Sequence, residues 1–160
     1  MKKHLLIFIL IIVTSSCQWL TDRSDKAALA EHFEIPDDAE MTAYDGFPTM
    51  VGFGQREGLT ISAKYKLNDE DMKSWIQKVQ YKGLKKLPIE ESCRSKLWFK
   101  DKLIPLDTKN GYYFCRTAGD DVLKAKVTKP CDEVKNPNDL IFAILDTEKK
   151  ELSVIITSGY

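Results

Sequence analysis

Histidine is nearly missing from this chain: there are two in 160 residues, and one of them, His4, lies in the N-terminal segment. That leaves His32 as the one imidazole outside it, and a lone histidine with scattered cysteines is not a zinc pattern. No Cys-x-x-Cys occurs, which removes the thioredoxin-type redox motif. Gly52-Phe53-Gly54 is not followed by Gly-Lys-Ser/Thr, so no phosphate-binding P-loop is present. Neither sign of charge is in surplus, with 24 basic and 24 acidic residues. No broad field therefore draws the chain to nucleic acid or to an anionic membrane surface. Spanning a bilayer takes about 20 apolar residues, and the longest run, Leu5 to Val13, has nine. There is no internal repeat and no low-complexity segment.

What is present begins at the N-terminus. Lys2, Lys3 and His4 precede the apolar run, and Thr14, Ser15 and Ser16 lead to Cys17. Basic start, short apolar stretch and small residues before a cut make a secretion signal. With a cysteine as the first residue after the cut, the arrangement resembles the lipobox of bacterial lipoproteins. It covers Lys2 to Cys17 only, and Thr14 stands where Leu is usual, with Val13 as the apolar neighbour. The resemblance implies that Cys17 is acylated and tethers the protein to a membrane of the bacterial envelope, facing the periplasm. Gln18, where Asp would hold such a protein on the inner membrane, implies the outer membrane. An ordinary cleaved signal and an uncleaved anchor are the alternatives. The expected organisation is a signal over 1–16, a lipidated tether over 17–23 and one domain over 24–160. Cleavage removes Lys2 and Lys3 and leaves a formal charge of −2, so membrane attachment should come from the lipid at Cys17.

Export to an oxidising compartment makes a disulfide expected among Cys93, Cys115 and Cys131. Cys115 lies in the apolar run Tyr112-Tyr113-Phe114-Cys115 and reads as a buried free thiol. Cys93 and Cys131 lie in polar, proline-flanked stretches, which favours Cys93–Cys131. Spacing leaves Cys115–Cys131 and Cys93–Cys115 open.

Leu59, Ile61, Ala63, Tyr65 and Leu67 alternate with Thr60, Ser62, Lys64 and Lys66, the period of a strand with one face in the core and one in solvent. Met41–Tyr44 is its expected partner across a long, glycine-rich connection, 45–58. Asn68 caps a helix over 69–82, with acidic residues in its first turn and Met72, Trp75, Ile76 and Val79 as one apolar stripe. Gly83 stops it. A short N-terminal helix opens at Ser24 and Asp25 and ends before Pro36. A further short helix is expected near Ile89–Leu97. Tyr112–Thr117, Val122–Thr128 (Leu123, Ala125 and Val127 inward), Leu140–Leu145 and Leu152–Thr157 read as antiparallel strands. The expected fold is α+β: an antiparallel sheet of five or six strands with the 69–82 helix on one face.

Chemistry is sparse. Asp37-Asp38, Glu90-Glu91 and Asp120-Asp121 could serve a hydrolase as acid and base, but each lies where turns and helix starts favour carboxylates. No catalytic residue, metal ligand or cofactor is expected. Loop aromatics with nearby arginine suit a protein-binding face, and Phe47, Phe53, Arg56, Trp98 and Phe99 are the candidates. The reading is a non-catalytic, lipid-anchored envelope protein that binds another protein in the manner of an immunity protein or inhibitor. A structural or assembly lipoprotein is the runner-up. No nucleic-acid partner is expected.

Overall fold

In the strand that alternates most strictly, Ile61, Ala63 and Tyr65 are buried as their period requires, but Ser62 between them is fully buried too. The sheet is covered on both faces. The computed structural model describes residues 26–50, 56–118, 122 and 127–158, with side chains left out at 47–50 and 56–59. The signal over 1–16, the tether over 17–23, and Cys17 and Gln18 with them, lie outside the described residues.

Among the described residues seven strands, β1 (Glu40–Met50), β2 (Arg56–Lys66), β3 (Lys85–Lys86), β4 (Gly111–Thr117), β5 (Lys129–Pro130), β6 (Asp139–Asp146) and β7 (Glu151–Ser158), form one sheet. Their order is β1-β2-β7-β6-β4-β3, with β5 also on β4. Every pairing is antiparallel. The expected α+β class holds. The strand count exceeds five or six because β3 and β5 are two-residue pieces with too little sequence to show a period. β1 runs well past Tyr44 and pairs with β2 as far as Met50 and Arg56, so most of the expected 45–58 connection is hairpin. Of the expected strand Val122–Thr128, residues 123–126 are outside the described set. Val122 is a buried turn residue, and Val127, expected inward, is exposed.

Helix α1 (26–33) and helix α2 (Asp69–Val79) cover one face. Asn68 caps α2 by accepting the Asp71 N–H at 2.8 Å. A 3₁₀ turn, Gln80–Lys82, extends α2, and Gly83 ends it at φ 80, where a side chain would be strained. Trp75 and Val79 are buried with Leu29 and Phe33 against Phe114, Ile141, Val154 and Ile156. The Trp75 and Phe33 rings stack on Phe114 with centroids 6.2 and 5.8 Å away.

The opposite face is covered by the stretch from Leu87 to Leu106, which contains helix α3 (Glu91–Arg94), the short helix expected near 89–97. Ile89, Cys93, Phe99 and Ile104 pack on Tyr113, Leu140, Phe142, Ile144 and Ile155. At the margin of this layer Ser62 Oγ donates to Asp101 Oδ2 at 2.7 Å, which satisfies a hydroxyl that would be costly to bury unpaired. β6 is therefore buried along its whole length, which destroys the simple apolar–polar alternation in its sequence.

Candidate functional site

Two of the three large apolar side chains exposed among the described residues, Tyr81 at 72% and Val127 at 78%, stand at the same groove. The groove encloses about 430 Å³. Glu31, His32 and Glu34 reach it from the end of α1, and Tyr81 and Lys82 from the 3₁₀ turn after α2. Arg116 lies on β4, and Val127 and Thr128 precede β5.

The apolar stripe of α2 fixes where its last turn ends, and Gly83 then redirects the chain, so Tyr81 and Lys82 sit beside α1. Lys82 Nζ donates to the His32 carbonyl at 2.8 Å and lies 3.6 Å from Glu34 Oε1. It stands 5.3 Å from the Tyr81 ring centroid. The Tyr81 hydroxyl donates to Glu34 Oε1 at 2.7 Å. Arg116 donates from Nε to Thr128 Oγ1 at 2.5 Å, from Nη1 to the Lys82 carbonyl at 2.9 Å, and from Nη2 to the Thr128 carbonyl. The guanidinium thus fixes both walls of the groove at once.

Burial lowers the Lys82 pKa, against the opposing pull of Glu34. Burial also lowers that of Arg116, although a guanidinium remains charged at any physiological pH. The hydrogen bond to Glu34, with burial behind it, raises that of Tyr81. These groups hold one another in place. They offer a rigid aromatic ring and a fixed cation, the two side-chain types that dominate protein-binding hot spots.

Of the residues expected at a binding face, Trp98 and Phe99 have described side chains. Phe99 is 7% exposed, with its ring 5.8 Å from Phe142. It is a core residue of the second layer, not a surface contact, because the chain folds back across the sheet there. Trp98 beside it is 47% exposed. Phe47 pairs with Thr60 and Arg56 with Met50 in the β1–β2 hairpin, with their side chains outside the described set, and Phe53 lies outside it altogether. The groove was missed because its apolar rim rests on two isolated residues, one of them read as inward-facing.

The expected Cys93–Cys131 disulfide is replaced by Cys115–Cys131, with Cα atoms 5.5 Å apart. Cys115 faces the second layer, and the pairing of Arg116 with Pro130 brings the next residue, Cys131, alongside it. Cys93 is the buried free thiol.

The carboxylate pairs have local roles. Glu90 accepts from Lys85 at 2.8 Å, Asp37 and Asp38 form a turn, and Asp120 and Asp121 lie outside the described residues. A second cavity of about 550 Å³ contains Asp107, Asp146 and Glu148. There Asp146 Oδ1 accepts the N–H groups of Glu148 and Lys149 at 3.0 and 2.9 Å, which makes it a turn cap. Among the described residues no group of three or more His, Cys, Asp or Glu is placed to hold a metal, and no helix is long and apolar enough to cross a membrane. No family model matches the chain, and no match to it was found among curated proteins or solved structures.

Proposed function

We propose that this is a lipid-anchored protein of the bacterial envelope that acts by binding another protein through the Tyr81–Val127 groove. The anchor part rests on the signal that ends at Cys17, and Gln18 favours the outer membrane. A single acyl chain holds a protein only marginally, so the multiple chains of lipoprotein processing suit a domain with no basic surplus of its own.

The binding part rests on one observation: an exposed Tyr81 and an exposed Val127 line one groove with a guanidinium that bonds to both of its walls. Tyrosine and arginine lose little freedom when already held, which lowers the entropic cost of complex formation. The net charge of −2 after cleavage gives no long-range steering, so recognition falls to this local surface.

A photo-crosslinking residue placed at Val127 of the full chain in cells tests the reading. The expected result is one discrete protein adduct, absent when the crosslinker is at exposed Lys109 and lost with Tyr81→Ala. A groove that gives no protein adduct, or gives the same adducts as Lys109, sinks it.

A further inference from the structure

Three cysteines share one apolar cluster on the face covered by 87–106. Cys115 and Cys131 are joined, and Cys93, 4% exposed, packs in the same cluster as a thiol. Two lysines tie the segment that carries Cys93 to the one that carries Cys131. Lys96 Nζ donates to the carbonyls of Cys131 and Val134 at 2.7 and 2.8 Å. Lys85 Nζ donates to Glu90 Oε2 at 2.8 Å and to Asp132 Oδ2 at 3.3 Å. Cα atoms of α3 and of the 3₁₀ turn Cys131–Glu133 come within 8 Å of one another. A disulfide needs a Cα separation below about 7 Å, and residues of the two segments already lie near that range.

We propose that Cys93 is an internal exchange partner for the Cys115–Cys131 disulfide. Its thiolate attacks Sγ of Cys131, and the Cys93–Cys131 bond forms as the Cys131–Cys115 bond breaks. Cys115 leaves as a thiolate and takes up the proton that Cys93 released. Oxidation state is unchanged overall, so no oxidant or reductant is consumed. Cys131 is the sulfur attacked because it sits on a three-residue turn that the lysines hold against α3. Cys115 is fixed within β4 by ladder bonds to β6.

The exchange moves a covalent staple. In the resident form the disulfide joins β4, one residue before Arg116, to the turn that follows Thr128–Lys129–Pro130. After exchange that turn is tied to α3, and the groove wall bearing Val127 and Thr128 keeps its hydrogen bonds to Arg116 and the short pairing of β5 with β4. This consequence rests on reading the groove as the binding site; the exchange does not.

Cys93 is faced by Lys85 from β3, by Glu90 and Lys96 at the ends of α3, by Asp132 from the turn and by the Tyr113 hydroxyl region of β4. Burial is the dominant influence and pushes the thiol up to about 11. The disulfide is therefore kinetically protected near neutrality, and exchange should speed up about tenfold per pH unit as the thiolate fraction grows.

The test maps disulfides in the full chain, purified in detergent, after incubation near neutral pH and about two pH units higher. Acid quenching, thiol alkylation and mass spectrometry read the bonds, and circular dichroism checks that the chain stays folded. The expected outcome is growth of Cys93–Cys131 with free Cys115, about tenfold faster per pH unit and independent of protein concentration. Folded chain that keeps only Cys115–Cys131 at the higher pH overturns the proposal. So does a new Cys93–Cys115 bond, or a rate that rises with protein concentration. Cys115→Ser supplies a second arm: incubated with oxidised glutathione, which accepts the two electrons, it should form Cys93–Cys131, and two free thiols in a folded variant overturn the proposal. Should that variant not fold, the mapping on the unsubstituted chain still decides. No partner is needed for either readout, so a failed exchange leaves the groove reading standing, and a failed crosslink at Val127 leaves the exchange standing.

Discussion

Arg116 and Thr128 are bonded twice, from Nε to the hydroxyl at 2.5 Å and from Nη2 to the carbonyl. The third arm of the same guanidinium reaches the Lys82 carbonyl at 2.9 Å. One side chain on β4 therefore joins the end of α2 to the approach to β5. A planar fork is needed for this, since an ammonium cannot point at three acceptors in three directions from one atom with the same reach.

Arg116→Lys should accordingly keep the charge and lose the geometry. The expected cost is about 1–3 kcal/mol in chemical denaturation, from half-buried acceptors left without donors. The Val127 crosslink should fall with it. A variant as stable as the parent would show that water replaces those bonds freely.

Val127→Asp should separate binding from folding. Val127 is 78% exposed, so its stability effect should stay within about 0.5 kcal/mol. A negative charge set on the rim should abolish adduct formation from a crosslinker moved to Glu31, an exposed residue of the same groove. Undiminished adducts would place the partner elsewhere.

Trp75 gives a two-step series in the core. Its indole N–H donates to the Phe33 carbonyl at 2.8 Å and ties α2 to α1. Trp75→Phe should cost about 1–3 kcal/mol for the orphaned carbonyl and lost volume. Trp75→Ala should cost about 3–5 kcal/mol. Urea midpoints read both, and the gap between them isolates the ring from the hydrogen bond.

Cys93 makes a pH-dependent contribution of known sign. Its thiol pKa rises from an ordinary 9.0 to about 11 because burial disfavours the thiolate. The native state thus binds the proton more tightly than the unfolded chain does. That stabilisation is complete below pH 9.0 and is lost as pH rises through about 11. Denaturation midpoints of the parent should fall over this window more steeply than those of Cys93→Ala. Parallel curves would contradict it.

Cys17→Ser should release the protein from membranes into the soluble envelope fraction, because the rest of the chain carries no basic surplus to hold it there. Detergent phase partitioning measures the change, and a variant that stays membrane-bound after cleavage would end the lipoprotein reading.

Much of the fold could be read before any coordinates. The cap at Asn68, the stripe through Trp75 and the stop at Gly83 all depend on residues a few positions apart, so α2 and its last turn lie where the pattern puts them. The alternation of Ile61, Ala63 and Tyr65 located one face of β2 for the same reason. The hairpin β6–β7 follows from two apolar runs around a short polar turn.

What the pattern could not carry was every contact between distant segments. Ser62 looked like a solvent residue because nothing near it in the chain announces Asp101. Phe99 looked exposed because nothing near it in the chain announces that Leu87–Leu106 folds back over the sheet. Cys131 could be matched to either remaining cysteine until the register of Arg116 with Pro130 set it beside Cys115. The groove is the extreme case: Glu34, Lys82, Arg116 and Thr128 share no local pattern, and they meet because the sheet order brings four parts of the chain to one place. Local periodicity and caps follow from backbone geometry and could be read directly. Pairing, second-face burial and the groove depend on chain closure over long separations, which leaves no short-range mark in the sequence.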